Sequence, residues 1–301
     1  MVLGLANSIT NGLSLGEGAY TASASWDFDG SSDYINCGNS WDLKGRVTDT
    51  SENTALSVAT WFKIDDIQTT GTTENLVSTI QYPGGWQLQY QNTKLMAALK
   101  HGDTSVDATL SITSSWRTLG TDASPLRASG WHHVGFTFDG RYLKLYLNGA
   151  QYGSTVDAGS DDNLIFHDGG SGATQGQDAN DVDMLIGADP NNITSNDGGG
   201  TYQSGTSPGM TPFEGLIHEV GIWDKTLDVG AFNEIFEAVN TDGAVLDLST
   251  DSGNYDYSGD LVALYRATDG IDGTTATNLA NPGTHDGSIK NSMGTVSTVP
   301  S

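Results

Sequence analysis

The sequence predicts an all-β protein of short antiparallel strands joined by tight turns, with one short helix near residues 228–239. Three observations predict it. The 301 residues include 39 glycines, 11 tyrosines and 7 tryptophans but only 7 prolines, a composition of strands and turns. Apolar residues recur with a period of two over short stretches, the mark of a half-buried strand. Asp-Gly and Asn-Gly pairs stand between such stretches, where glycine supplies the positive φ of a hairpin turn.

Residues 1–24, rich in Gly, Ser, Ala and Asn, lack periodicity and read as an extension or anchor that orders against a partner. From Trp26 to Trp223 short strands follow one another. LSVATWFKI places Leu56, Val58, Phe62 and Ile64 on one face and Ala59, Trp61 and Lys63 on the other. GGWQLQY alternates Trp86, Leu88 and Tyr90 against Gln87 and Gln89, and KLMAAL completes a hairpin with it. WHHVGFTFDGRYLKLYLNGAQYGS reads as a three-stranded meander with two-residue turns at Asp139-Gly140 and Asn148-Gly149. Its register is pinned by two apolar rows, Val134, Phe136 and Phe138 against Leu143, Leu145 and Leu147, which a one-residue slip would expose.

MLIGA is a short strand between the polar stretches 157–183 and 189–211, which are long enough to be functional or mobile loops. GLIHEVGIW turns Val220 and Ile222 inward. Asp228 caps a helix whose Phe232, Ile235, Phe236 and Val239 recur at helical spacing. LVALYRA at 261–267 is a further strand, and 286–301 forms a Ser/Thr-rich tail. These bounds give a domain at 25–285 between an extension and a tail. No segment repeats at a fixed period, so a solenoid or propeller is not expected.

The formal net charge is −25 with only 12 Lys plus Arg. No basic stripe can form to neutralise nucleic-acid phosphates, and an anionic membrane surface repels such a chain. No apolar run approaches the ~20 residues that span a bilayer, so membrane insertion is not expected. Partners are then neutral, cationic or metal ions. Cys37 is the only cysteine, which excludes an intrachain disulfide and reads as a small buried hydrophobe. MVLGLANSITNGLSLGEG lacks a basic n-region and does not read as a signal peptide.

In order and spacing, WDFDGSSDYINCG, LSVATWFKI, GWHHVGFTFDGRYLKLYLNGAQYGS, LIGADP and FEGLIHEVGIWDKTL resemble laminin G-like and pentraxin-like domains of the concanavalin A-like lectin/glucanase superfamily. The resemblance covers residues 25–240. It implies two antiparallel sheets packed as a jelly-roll sandwich, used for binding glycans or proteins, often with calcium. His218 stands where many relatives carry an Asp, which weakens any metal site carried over to that position. Similar domains occur in bacteriophage structural proteins.

Glycosidases of this superfamily place Glu-x-Asp-x-Glu on one strand, so that alternate carboxylates share a face as acid and nucleophile. That motif is absent, and Glu214 and Glu219, five apart, fall on opposite faces of a strand. His132 and His133 have no accompanying nucleophile motif and read as framework. Calcium wants six to eight oxygen ligands; Asp27 and Asp29, Asp181 and Asp183, and Asp189 are the candidate ligands, with turn capping as the plainer alternative. NYDYSGD at 254–260 mimics an EF-hand start, but Tyr265 occupies the twelfth position, so it reads as a turn. Trp86, Tyr90 and Tyr202 are candidates for stacking on sugar rings, with Tyr146 beside them; core packing is the alternative for each.

The expected function is that of a non-catalytic virion surface protein, such as a capsid decoration, fibre or tail component. Its sandwich would bind host glycans or neighbouring virion subunits, as a monomer or a homo-oligomer. A free secreted lectin is the alternative, and a glycoside hydrolase or lyase a more distant one.

Overall fold

The computed structural model describes residues 18–39, 55–64, 73–79, 85–91, 94–102, 109–111, 130–157, 183–190, 210–239, 244–269 and 271–301. The elements before the helix are β1 (Ala19–Thr21), β2 (Ser25–Asp29), β3 (Ile35–Asn39), β4 (Leu56–Ile64), β5 (Thr73–Ser78), β6 (Gly85–Gln91), β7 (Lys94–Gly102), β8 (Thr109–Ser111), β9 (His132–Phe138), β10 (Tyr142–Leu147), β11 (Ala150–Asp157), β12 (Asp183–Ile186), β13 (Met210–Thr211) and β14 (Glu214–Trp223). After α1 (Val229–Glu237) come β15 (Ala244–Leu246), β16 (Leu261–Arg266), β17 (Ile271–Asp272), β18 (Thr275–Ala276), β19 (Gly287–Ile289) and β20 (Gly294–Val296). The predicted all-β sandwich is therefore observed, with α1 where Asp228 marks its start.

Among the described residues two sheets face each other. One has eight strands in the order β11-β10-β9-β4-β14-β2-β20, with β16 also paired to β14. The other has ten, in the order β17-β18-β19-β3-β12-β5-β6-β7-β8, with β13 joined to β5. Pairing is antiparallel throughout except for β13 and β5, which run parallel. The long strand β14 is the spine of the first sheet. One of its edges pairs with β4; the other pairs with β2 along its first half and with β16 along its second.

Alternation along each strand builds the core between the sheets. Leu56, Val58, Phe62 and Ile64 of β4, Val134, Phe136 and Phe138 of β9, and Leu143, Leu145 and Leu147 of β10 meet Trp86, Leu88, Tyr90, Leu95, Ala97 and Leu99 of the facing sheet. The meander register is as expected, with Phe138 opposite Leu143 and Leu147 opposite Val134. Its second turn is the two-residue loop predicted, Leu147 pairing with Ala150 across Asn148 at φ 49° and Gly149 at φ 78°. The first turn is longer. Phe138 pairs with Leu143, so four residues form the loop, and Asp139 organises it by accepting from the Arg141 and Tyr142 amides.

A second core covers the outward face of the eight-stranded sheet. There Ala59, Tyr146, Trp223 and Leu264 pack against Ala231, Phe232 and Ile235 of α1 and against Leu246, Leu248 and Tyr255. Asp228 caps α1 by accepting from the Ala231 amide at 2.8 Å, and Phe232 stacks on Tyr146 with centroids 4.0 Å apart. His133 lies in this layer, 5.0 Å from the Trp61 ring and 5.9 Å from Phe232; burial pushes its imidazole down to about 3. Both members of the His pair are buried, as framework residues would be.

Gly135 lets the helix approach, since a Cβ there would sit 2.5 Å from the Phe232 ring and from the Val58 carbonyl. Gly135→Ala is expected to destabilise the fold by about 1–3 kcal/mol through overpacking, read as a lowered urea midpoint. An unchanged midpoint would show that α1 shifts freely.

Both ends of the described chain join the fold. Within the predicted extension 1–24, β1 pairs with β15. Within the predicted tail 286–301, β19 pairs with β3 in one sheet and β20 with β2 in the other, and Ser25 Oγ donates to the Thr298 carbonyl at 2.6 Å. The tail thus supplies an inner strand to the ten-stranded sheet, between β18 and β3, and an edge strand to the eight-stranded one. Two or three residues suffice because an existing strand supplies the ladder partners.

Candidate functional site

Trp86 and Tyr90 do not reach a sugar-accessible surface. Their side chains lie between the sheets at 0% and 1% exposure, and Trp86 meets Phe136 edge-on at 5.8 Å. Core packing, the alternative weighed for both, is what the structure shows, and Tyr146 likewise lies under Phe232. Tyr202 lies outside the described residues. Because side chains alternate along β6, burying Trp86, Leu88 and Tyr90 sends Gln87 and Gln89 to the other face.

That outward face of the ten-stranded sheet carries a row of amides. Asn75 of β5 stands opposite Gln89, and Ser78 opposite Gln87; a register shift between Asn75 and Val77 keeps Asn75 and Ser78 on one side. Continuing across the sheet, Ser78 neighbours Leu185 and Leu185 neighbours Asn36. On the other flank Met96 faces Gln89 and Ala98 faces Gln87. Asn36 is fully engaged, donating to Asp183 Oδ2 at 2.7 Å and accepting from the Gly38 amide at 2.8 Å. Tyr34, Leu185 and Ala188 form a small apolar cluster beside it.

The centre of the row is different. Neither atom of the Asn75 amide has a hydrogen-bond partner, nor has Oε1 of Gln87 or of Gln89, and Gln89 Nε2 reaches only the Met96 sulfur at 3.8 Å. All three side chains are at most 2% exposed. Buried polar atoms are nearly always satisfied, and each that is not costs about 1–3 kcal/mol. Three adjacent amides in this state form the strongest unmet hydrogen-bonding demand among the described residues.

The candidate calcium ligands that the structure describes do not converge. Among the described residues no group of three His, Cys, Asp or Glu side chains is placed to hold a metal ion; Asp181 lies outside those residues. Asp29 caps the turn after β2, accepting from the Ser31, Ser32 and Asp33 amides at 2.8, 2.9 and 3.1 Å and from the Ser31 hydroxyl. Partial burial raises its carboxyl, and these hydrogen bonds overcome that and bring it down to about 2. Asp183 is tied to Asn36, Asp189 is buried beyond the end of β12, and Asp27 lies mid-strand in β2 between β14 and β20.

Asp33, which no sequence pattern singled out, is pushed up to about 6 by burial and by the charges of Asp29 and Asp27. A carboxyl raised in the folded state lends stability that is complete below its unfolded value near 4 and is lost as pH rises through 6. Asp33→Asn should therefore melt higher than the parent at pH 7.5 and alike at pH 4. Asp29 titrates below this window and leaves the comparison undisturbed. Thermal melts from pH 4 to 8 read the difference, and one that stays constant with pH refutes it.

A buried ionic cluster lies in the second layer. Arg266 Nε donates to Glu219 Oε2 at 2.6 Å and Nη2 donates to Asp247 Oδ1 at 2.7 Å, while its guanidinium lies 4.0 Å from the Tyr20 ring centroid. His218 Nδ1 is 2.8 Å from the Ala24 carbonyl, which can only accept, so this nitrogen carries the proton. Nε2 is then the acceptor for the Tyr20 hydroxyl at 2.7 Å. Burial pushes His218 down to about 4. The cluster fastens β1 to β14 and β16. It commits Glu219 to structure and leaves Glu214 without it as a catalytic partner.

One solved structure shares the architecture, and others are more distantly similar. A candidate carbohydrate binding protein from Bacteroides ovatus matches with a TM-score of 0.52 at 13% identity, over 92% of this chain and 60% of that one. The chain thus spans about three-fifths of that protein's length. The heptameric SAP-like pentraxin of Limulus polyphemus matches at 0.41 and 14% identity, over 71% of this chain and 82% of that one. The binding domain of botulinum neurotoxin DC in complex with SialylT matches at 0.40 and 14%, over 62% and 36%. At such identities the likeness is one of fold. No curated protein matches the chain. The family model for laminin G-type domains matches residues 29–188, more than half of the chain, and the protein belongs to this family of the concanavalin A-like lectin/glucanases superfamily.

Proposed function

We propose that this chain is a non-catalytic carbohydrate-binding protein. The observation that carries the reading is the lectin-like sandwich itself, matched by the family model over residues 29–188. The Bacteroides ovatus neighbour, described as carbohydrate-binding, supports the same class. Non-catalysis is supported by the commitment of Glu219 to Arg266. Binding of the purified protein to a glycan array tests the function, and release of reducing sugar from polysaccharides would favour a hydrolase or lyase instead.

The setting proposed is the virion surface, as a capsid decoration, fibre or tail component contacting host glycans or neighbouring subunits. It rests on the sequence resemblance to domains of bacteriophage structural proteins. Proteomics of purified particles tests it; a protein absent from particles and active as an isolated lectin would be a secreted binder. A stabilising calcium ion is a separate proposal, and a melting temperature unaltered by EDTA removes it.

A further inference from the structure

We propose that β1 is a strap released by acid: it is fastened to the sandwich while His218 is neutral and lifts from β15 when His218 takes up a proton. This inference is independent of the carbohydrate-binding reading.

β1 belongs to neither large sheet. Its ladder is three pairs with β15, Ala19 to Leu246, Tyr20 to Val245 and Thr21 to Ala244, and a two-stranded ribbon this short is not stable by itself. Tyr20 supplies a second hold. Its hydroxyl donates to His218 Nε2 at 2.7 Å, its ring stacks on the imidazole with centroids 6.1 Å apart, and the Arg266 guanidinium lies over it. Just beyond β1, the Ser23 and Ala24 amides donate to the Thr268 hydroxyl at 3.0 and 3.4 Å, so a hinge at Ala22 would leave β2 in place.

His218 stands at the register shift of β14 between Ile217 and Glu219 and is 0% exposed. Nδ1 already donates to the Ala24 carbonyl, so an added proton must go to Nε2, where Tyr20 needs an acceptor. The Tyr20 hydroxyl can turn to Glu219 Oε2, 3.3 Å away. The imidazolium is then a second buried cation beside Arg266, which is costly. Lifting β1 takes the Tyr20 ring off the imidazole and relieves that cost.

The charged groups around His218 set the pH window. Burial holds the imidazole down at about 4 against the Ala24 hydrogen bond, and the Arg266 charge adds to the effect. A histidine held low when docked leaves the strap at full strength above its ordinary value near 6.5 and weakens it as pH falls towards 4. Glu219 is raised by burial and so acts in the opposite direction. Asp247 is raised by partial burial but lowered further by its hydrogen bonds to Arg266 and Ser249, which places it below the window, while Tyr20 and Arg266 titrate above it. Asp269, 3.9 Å from Arg266 and 51% exposed, completes the set.

Hydrogen exchange of the full chain, followed by mass spectrometry, tests the strap by comparing a peptide containing β1 with one from β9 after correction for intrinsic rates. Between pH 7.5 and 5 the protection of β1 relative to β9 should fall on the order of tenfold. In His218→Gln, which takes up no proton, it should stay level or rise. Asp33 acts with the opposite sign on the chain between β2 and β3, so a peptide-level reading keeps the two apart. Constant protection of β1 in the parent overturns the proposal, as does an equal fall in parent and variant. Where His218→Gln by itself detaches β1 at pH 7.5, NMR of the parent decides. His218 ring signals that titrate well below their ordinary value while β1 loses protection support the strap, and signals that titrate near 6.5 overturn it.

Discussion

Arg266→Ala is expected to lower the stability of the protein by about 3–5 kcal/mol, the cost of removing one partner from a buried ion pair. Arg266 is 5% exposed and Glu219 2%. Without the guanidinium, Glu219 is left with the Tyr20 hydroxyl 3.3 Å away, whose single proton goes to His218 Nε2 at 2.7 Å, and Asp247 loses its 2.7 Å contact. The Tyr20 ring loses the cation above it, so β1 should detach from β15 and exchange its amides first. The neighbouring charges hold Arg266 above its already high value, so deprotonation cannot relieve the loss. Replacing both partners, Arg266→Met with Glu219→Gln, should recover part of the stability, since an uncharged pair of similar volume avoids the stranded charge. Urea unfolding measures both variants. A loss below about 1 kcal/mol, the value typical of exposed pairs, would show that solvent reaches the cluster.

Trp86→Ala should cost about 3–5 kcal/mol, as large-to-small changes at fully buried aromatic sites do. Its ring fills the space between the sheets against Phe136, and Ala cannot close that cavity. This variant separates the two faces of β6. Trp86→Ala should unfold at lower urea, whereas the neighbouring Gln87→Met, which removes a buried amide oxygen without a partner, should unfold at higher urea. If Trp86→Ala left the urea midpoint unchanged, β6 would be paired one residue out of register, because such a slip exchanges its faces.

Much of the fold was legible because a strand writes its environment into a period of two. The alternations in β4, β6, β9 and β10 correctly identified the residues facing the inter-sheet core, and Asn148-Gly149 marked a turn whose positive φ values few other pairs accept. Asp228 and the Phe232, Ile235 spacing located α1. The same alternation separated Gln87 and Gln89 from Trp86 and Tyr90. It could not say which set would be enclosed between the sheets, since that depends on where the second sheet packs. Aromatic rings are good at both stacking on sugars and filling cores, and the structure puts Trp86 and Tyr90 in the core.

What only the tertiary structure decided depends on partners distant in the chain. Glu219 and Arg266 are 47 positions apart, and neither residue type announces a buried pair. The layer of Trp61, His133, Gly135 and Trp223 beneath α1 reads as the outward, ordinarily wet face of a sheet until the helix covers it. β19 and β20 are three residues each, too short for a periodic signal, and exist because β3 and β2 offer free edges. The amide row likewise exists only as register: Asn75 and Gln89 meet because β5 and β6 pair across a bulge. By itself, then, the sequence determined an all-β sandwich and which residues fill its core, because burial acts locally through alternation. The ionic cluster, the covered outer layer and the amide row were decided by folding, because hydrogen bonds and ion pairs need partners that only strand pairing brings together.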